Sequence, residues 1–204
     1  MPTLDATEPY PWPYDGCLDP RRLALIVAGA QSGWMKASHD HPAIAARIAA
    51  ISAVVRDAGA LVVLVHHTRP IGTRPTPFPP EAGSAGADPA VAPWRGDLVV
   101  QASGIDGFHG GPLDGELRCR GIDHLVLCGF GAEACVDSTL RSANDRGYEC
   151  LTLVDAVAPF SPDLGRHALA SITMSGGIFG AIGSSADFLA ALSHARPPVP
   201  LEAQ

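Results

Sequence analysis

The sequence predicts a three-layer α/β/α sandwich around a mostly parallel sheet of about six strands, and three observations carry that prediction. Short continuous apolar runs, at residues 23 to 27 (LALIV), 61 to 65 (LVVLV) and 124 to 130 (HLVLCGF), have the length of strands covered on both faces. Between such runs lie segments with helical spacing, of which residues 42 to 57 are the clearest, with Ile44, Ile48, Ile51 and Val55 on one face. The two kinds of segment alternate along the chain, which is the pattern of a parallel sheet with helices on both sides.

Residues 1 to 22 contain YPWPYDG, where proline fixes φ and removes donors, so this part is expected to be a surface arm. Its Tyr10, Trp12 and Tyr14 suit packing on the same subunit or, preferably, on a neighbouring one. The first strand runs from Leu23 to Val27 and opens at Ala28-Gly29-Ala30. The short segment GWMKASHDH then leads to the helix from Pro42 to Asp57, which stops at Gly59. A second strand ends in His66-His67, one of which faces the carboxyl edge of the sheet because neighbouring strand residues point to opposite faces.

Residues 69 to 96 are rich in Pro, Gly and Ala and read as a long loop, in which Arg69, Arg74 and Trp94 can meet a substrate or solvent. Asp97 to Gln101 form the third strand. The loop ASGIDGFHGG carries Asp106 and His109, and a short helix spans 112 to 120. Downstream of the run at 124 to 130, a helix is expected from Ala134 to Arg146, a fifth strand ending at Asp155 and a helix over 163 to 175. A sixth strand over 177 to 181 and a last helix from Ser184 to about His194 complete the domain. The organisation is therefore an arm (1–22), one domain (23–196) and a frayed tail (197–204).

The chain has 204 residues, 47% hydrophobic and 17% charged, which is ordinary for one globular domain. A net charge of -7 leaves no basic field for nucleic acid, and no apolar stretch reaches the length of a membrane span. The expectation is a soluble cytoplasmic protein without a cofactor or a metal. The five cysteines lack CxxC or metal-ligand spacing, so Cys119, Cys128 and Cys150 read as reduced residues in or beside strands and helices. The tripeptide His39-Asp40-His41 has the composition of a metal site, but its ligands lie in one short loop with no downstream partner.

Cys135 follows the turn Gly129-Phe130-Gly131 and falls in the first turn of the expected helix. At that place unpaired N–H groups and the positive end of the helix dipole favour thiolate and can hold a developing oxyanion. The pattern points to cysteine acyl-transfer chemistry; a small buried apolar role fits the same residue.

The stretch GFGAEACVDSTLRSANDRGYECLTLVDAVAP resembles the nucleophile segment of the isochorismatase-like cysteine hydrolases, and SGGIFGAIGSSADFLAAL is similar to their last strand and helix. With YPWPYDG and LDPRRLALIVAGAQ, the resemblance covers nearly the whole chain and is nearest to the biuret and ureidoacrylate amidohydrolase branch. It implies assembly as dimers or tetramers and an Asp-Lys-Cys triad that hydrolyses small amides. It also implies Cys135 as nucleophile, the backbone N–H groups of Gly131 and Cys135 as oxyanion donors, and a cis peptide at Phe130-Gly131.

The sequence departs from this pattern at two of the three triad positions. Gly29 stands where the family has Asp, although Gln31 is retained, and Ala102, or Gln101 with a one-residue shift, stands where it has Lys. A substrate-covering loop that usually follows the first strand is short. The expectation is a catalytically degenerate homologue with a small amide or carbamoyl ligand, or a non-catalytic partner subunit in a hetero-oligomer with an active relative. The alternative is a cysteine-dependent enzyme in which His109, Asp106 or His66 replaces the missing groups.

Overall fold

The computed structural model describes residues 3–68, 91–93 and 95–195. Arg69, Arg74, Trp94 and the tail from 197 lie outside these residues, so the sequence reading of them has no structural counterpart. The sheet has six strands in the order β3-β2-β1-β4-β5-β6. These are β1 (Leu23–Ala28), β2 (Leu61–Thr68), β3 (Leu98–Ser103), β4 (His124–Phe130), β5 (Glu149–Ala158) and β6 (Ala181–Gly183). Every adjacent pair is parallel. β1 and β4 are buried at every residue, as their unbroken apolar runs require.

The helices are α1 (Ser32–Ala37), α2 (His41–Asp57), α3 (Leu113–Cys119), α4 (Asp137–Asp145), α5 (Pro162–Ile172), the short α6 (Met174–Gly177) and α7 (Ser185–His194). In α2, Ile44, Ile48, Ile51 and Val55 are buried, the stripe that the spacing predicted. Ser161 caps α5 and Ser184 caps α7, each hydroxyl accepting a backbone N–H from the first turn.

Several boundaries differ from the sequence reading. The segment after β1 is not a bare connection: residues 32 to 37 coil into α1, which buries Trp34. Ala102 lies on β3 itself, which continues to Ser103. The sixth strand is Ala181–Gly183 rather than 177 to 181, because Ser175 and Gly176 take left-handed conformations and Ile178 faces solvent. Gly180 lies against β5, where a Cβ would meet the Cys150 carbonyl at 2.5 Å, and regular pairing starts after it.

The arm packs on its own subunit. Leu4 and Trp12 form a bridge, Glu8 pairs with Ile182 of β6, and fully buried Trp12 meets the His124 ring edge-on at 5.7 Å. Tyr10 donates its hydroxyl hydrogen to Glu149 at 3.1 Å, whereas Tyr14 stays exposed. The arm also covers the free edge of β6, which would otherwise present unpaired backbone groups.

Candidate active site

The carboxyl edge of an open parallel sheet is where such folds bind ligands, and here β1, β2, β3 and β4 bring Gly29, His67, Ala102 and Cys135 to that edge. β4 approaches β1 closely at Gly129, with φ 132°, where a Cβ would fall 2.0 Å from the Ala28 carbonyl oxygen. No other residue fits that crossing. The chain then turns at Gly131 in the left-handed region, φ 71° and ψ 63°. The cis peptides among the described residues are Glu8-Pro9 and Trp12-Pro13, so Phe130-Gly131 is trans, contrary to the expectation from the resemblance. The positive φ of Gly131 makes the reversal instead.

Cys135 does not begin a regular α-helix. It lies in a single π-helical turn, Ala132–Val136, and α4 starts after it. The wider turn arises because the Val136 N–H reaches back to the Gly131 carbonyl at 3.3 Å. The sulfur is fully buried. Burial pushes its thiol well above the ordinary range, while its own backbone N–H pulls down and the charge of Glu133 pushes up. Burial of this kind disfavours the thiolate.

The expected oxyanion donor on Gly131 is occupied. Its N–H donates to the Ala158 carbonyl at 2.8 Å and to the Ser38 hydroxyl oxygen at 3.2 Å. Ser38 in turn donates to the Trp34 carbonyl at 2.8 Å. Above the turn, Trp34 and Phe160 stack with centroids 5.5 Å apart, and a Cβ on Gly131 would meet Phe160 Cζ at 3.1 Å and Trp34 Cε3 at 3.3 Å.

Gly29 and Ala102, where the resemblance puts the family's Asp and Lys, carry no titratable side chain. Gly29 has φ 68°; a Cβ there would fall 3.5 Å from Cys135 Sγ but only 2.7 Å from the Phe130 carbonyl oxygen. The neighbouring position is therefore close enough to serve the thiol, yet shaped for glycine. Ala102 is buried and pairs in register with His67. Gln31 clamps the end of β2: its Oε1 accepts the His67 N–H at 2.7 Å and its Nε2 donates to the His67 carbonyl at 3.2 Å. The neighbouring Gln101, the alternative Lys position, is exposed.

The three suggested substitutes lie in different surroundings. His109 is exposed, and its backbone carbonyl accepts the Ser103 N–H at 2.8 Å. Asp106 is held by the Ser142 hydroxyl at 2.9 Å and the Phe108 N–H at 2.9 Å, which docks the loop on α4 well past Cys135. His66 is buried on the face opposite His67, and burial lowers its pKa. The residue that sequence reasoning left undistinguished is His67. Its Nδ1 lies 3.1 Å from the Gly104 carbonyl and must carry the hydrogen to donate there, which leaves Nε2 as a buried acceptor without a hydrogen-bond partner. Burial pushes its pKa down to about 4, with the Gly104 hydrogen bond and Asp106 opposing. Only the register of β2, which sequence does not fix, selects between the two histidines.

His39, Asp40 and His41 lie at the start of α2, and among the described residues no group of three or more metal-ligating side chains gathers. No described helix is long and apolar enough to cross a membrane.

A parallel α/β sandwich with a cysteine on the turn after a central strand defines a class of fold, and comparison with known proteins narrows it. The chain belongs to the isochorismatase family, whose domain matches residues 23–187. It is 39% identical over 104 residues to ureidoacrylate amidohydrolase RutB of Methylobacterium radiotolerans, a match covering 50% of this chain and 39% of that protein. The corresponding protein of Klebsiella pneumoniae is 37% identical over 108 residues, covering 52% and 44%. The matched segments thus span less than half of these relatives.

Among solved structures, an isochorismatase family protein from Burkholderia thailandensis superposes with a TM-score of 0.74 at 29% identity, covering 86% of this chain and 97% of its own. A cysteine hydrolase from Pseudomonas syringae pv. phaseolicola also gives 0.74, at 23% identity, over 88% and 96%. N-carbamoylsarcosine amidase from Thermoplasma acidophilum gives 0.64 at 24% identity, over 80% and 96%.

Proposed function

We propose that this protein is a catalytically degenerate member of the isochorismatase family, which keeps the nucleophile turn as structure and has lost hydrolysis of small amides. The observation that carries the reading is the state of Cys135: its sulfur is fully buried, its thiol is pushed up, and Gly29 and Ala102 stand at the positions of base and cation. Amide cleavage needs a group to take the thiol proton and return it to the leaving nitrogen, a role typically worth about 10² to 10⁴ in rate. Its role is then that of a binding module for a small amide or carbamoyl compound, the chemistry named by its relatives, or of a partner subunit to an active relative. Homo-oligomeric assembly is part of the same proposal.

The test is ammonia release from biuret, ureidoacrylate, N-carbamoyl amino acids and simple amides by the natural chain and by Cys135→Ala. Equal, background release from both is the expected result. Release by the natural chain that disappears in Cys135→Ala would overturn the reading.

One observation favours a second reading, an active cysteine enzyme with a relocated base. His67 pairs with Ala102 and presents an unpartnered, buried Nε2 acceptor. If the natural chain releases ammonia, His67→Ala is expected to abolish the release while Asp106→Ala and His109→Ala leave it unchanged.

A further inference from the structure

The segment Pro159-Phe160-Ser161 links β5 to α5 and packs against the turn that holds Cys135, at Gly131 and Glu133. Its inward contact is Phe160, which stacks on Trp34 at an interplanar angle of 17° and touches the space above Gly131. Trp34 is buried, whereas Phe160 is only partly buried, so Phe160 is the outer member of the stack. Three backbone groups hold the segment in place. The Pro159 carbonyl accepts the His39 N–H at 2.7 Å. The N–H groups of Phe160 and Ser161 both donate to the Glu133 carboxylate, at 3.0 and 3.3 Å to Oε1, with Phe160 also 3.1 Å from Oε2.

Glu133 belongs to the π-helical turn itself, two residues before Cys135. The carboxylate therefore ties the segment to the same turn that it packs against. Hydrogen bonds to a charged acceptor are about twice as strong as neutral ones, and these two close a short loop between fixed elements. Ser or Thr in place of Phe160 would not fill the space against Trp34 with an apolar ring. A carboxylate serves at 133 because both of its partners are donors.

We propose that Phe160 is an access gate to Cys135, backed by Trp34 and latched by the Glu133 carboxylate. Release of the latch swings the segment about Pro159 and the capped start of α5, and admits a small electrophile to a thiol that is otherwise sealed. The gate stands whether or not the protein hydrolyses amides, because its readout is access to sulfur rather than turnover.

The experiment is residue-resolved alkylation of the natural chain, Glu133→Gln and Phe160→Ala by iodoacetamide under native conditions, quantified by peptide mass spectrometry. Cys128 and Cys150 are equally buried in strands away from the gate, so they report global unfolding. In the natural chain, Cys135 is expected to react faster than both, through local opening. Glu133→Gln is expected to raise the Cys135 rate about tenfold, and Phe160→Ala at least as much, with the rates of Cys128 and Cys150 unchanged. Equal rates for the three thiols in the natural chain, or Cys135 rates in both variants that match the natural chain or rise only together with Cys128 and Cys150, would overturn the gate.

Discussion

The exit of β4 and the exits of β1 and β3 meet at one edge of the sheet, yet they have different fates. The β4 side retains its demanding backbone: Gly129 crossing the Ala28 carbonyl, Gly131 left-handed, and the turn that places Cys135. The β1 and β3 sides carry Gly29 and Ala102, which have no titratable group, at the positions that the proposed function assigns to a base and a cation. The difference teaches that the geometry of a nucleophile turn is also the geometry of the core beneath it. Altering the turn would break strand packing.

That contrast can be broken most severely at Gly129. Gly129→Ala places a methyl group 2.0 Å from a backbone oxygen at a φ reserved for glycine, so the variant is expected to lose native structure altogether, seen as absent cooperative unfolding by circular dichroism. The next largest effect lies at the entry of β3, far from the vacated site. The Asp97 side chain is buried and bidentate with Arg56 at 2.6 and 2.7 Å, so Arg56→Ala removes two charge-assisted hydrogen bonds from a buried carboxylate and is expected to cost about 3 kcal/mol in chemical denaturation. A loss under 1 kcal/mol would show that this pair contributes little to stability.

His67 gives the third test, through pH. Its folded-state pKa, about 4, lies below the ordinary 6.5, so the unfolded chain binds the proton more readily. Its contribution is whole above pH 6.5 and is lost as pH falls from 6.5 towards 4, a change of about 3 kcal/mol at one proton. Stability measured by denaturant at pH 7 and pH 4.5 should show this loss, and His67→Gln should flatten it. The smallest effect is at Gly29. Gly29→Ala is expected to destabilise by roughly 2 kcal/mol through its positive φ and the 2.7 Å approach to Phe130. For the same reason, Gly29→Asp with Ala102→Lys is expected to leave ammonia release at background; recovered turnover would show that the edge tolerates the lost chemistry.

The sheet was legible because each central strand is a continuous apolar run and α2 shows an uninterrupted stripe, both local signals. β6 was placed four residues early, since Ile178 and Phe179 read as strand while the glycines around them make turns that only packing against Cys150 fixes. At the site, the turn that carries Gly131 and Cys135 could be read directly. The packing around the turn could not, because Trp34, Ser38 and Phe160 reach it from distant segments. Asp106 and His109 looked available for the same reason: the Ser142 hydroxyl that captures Asp106 lies 36 residues away in sequence. His66 and His67 were indistinguishable until strand register put them on opposite faces.

The most direct measurement is the ionisation of Cys135 itself, followed as the pH dependence of its alkylation rate with Cys119, which is exposed, as an internal reference. A Cys135 rate that still rises at pH values where Cys119 has levelled off is the predicted result, the signature of a thiol held protonated by burial. A Cys135 rate that levels off well below Cys119 would mean an activated thiolate, and the account of a silent nucleophile turn would be wrong.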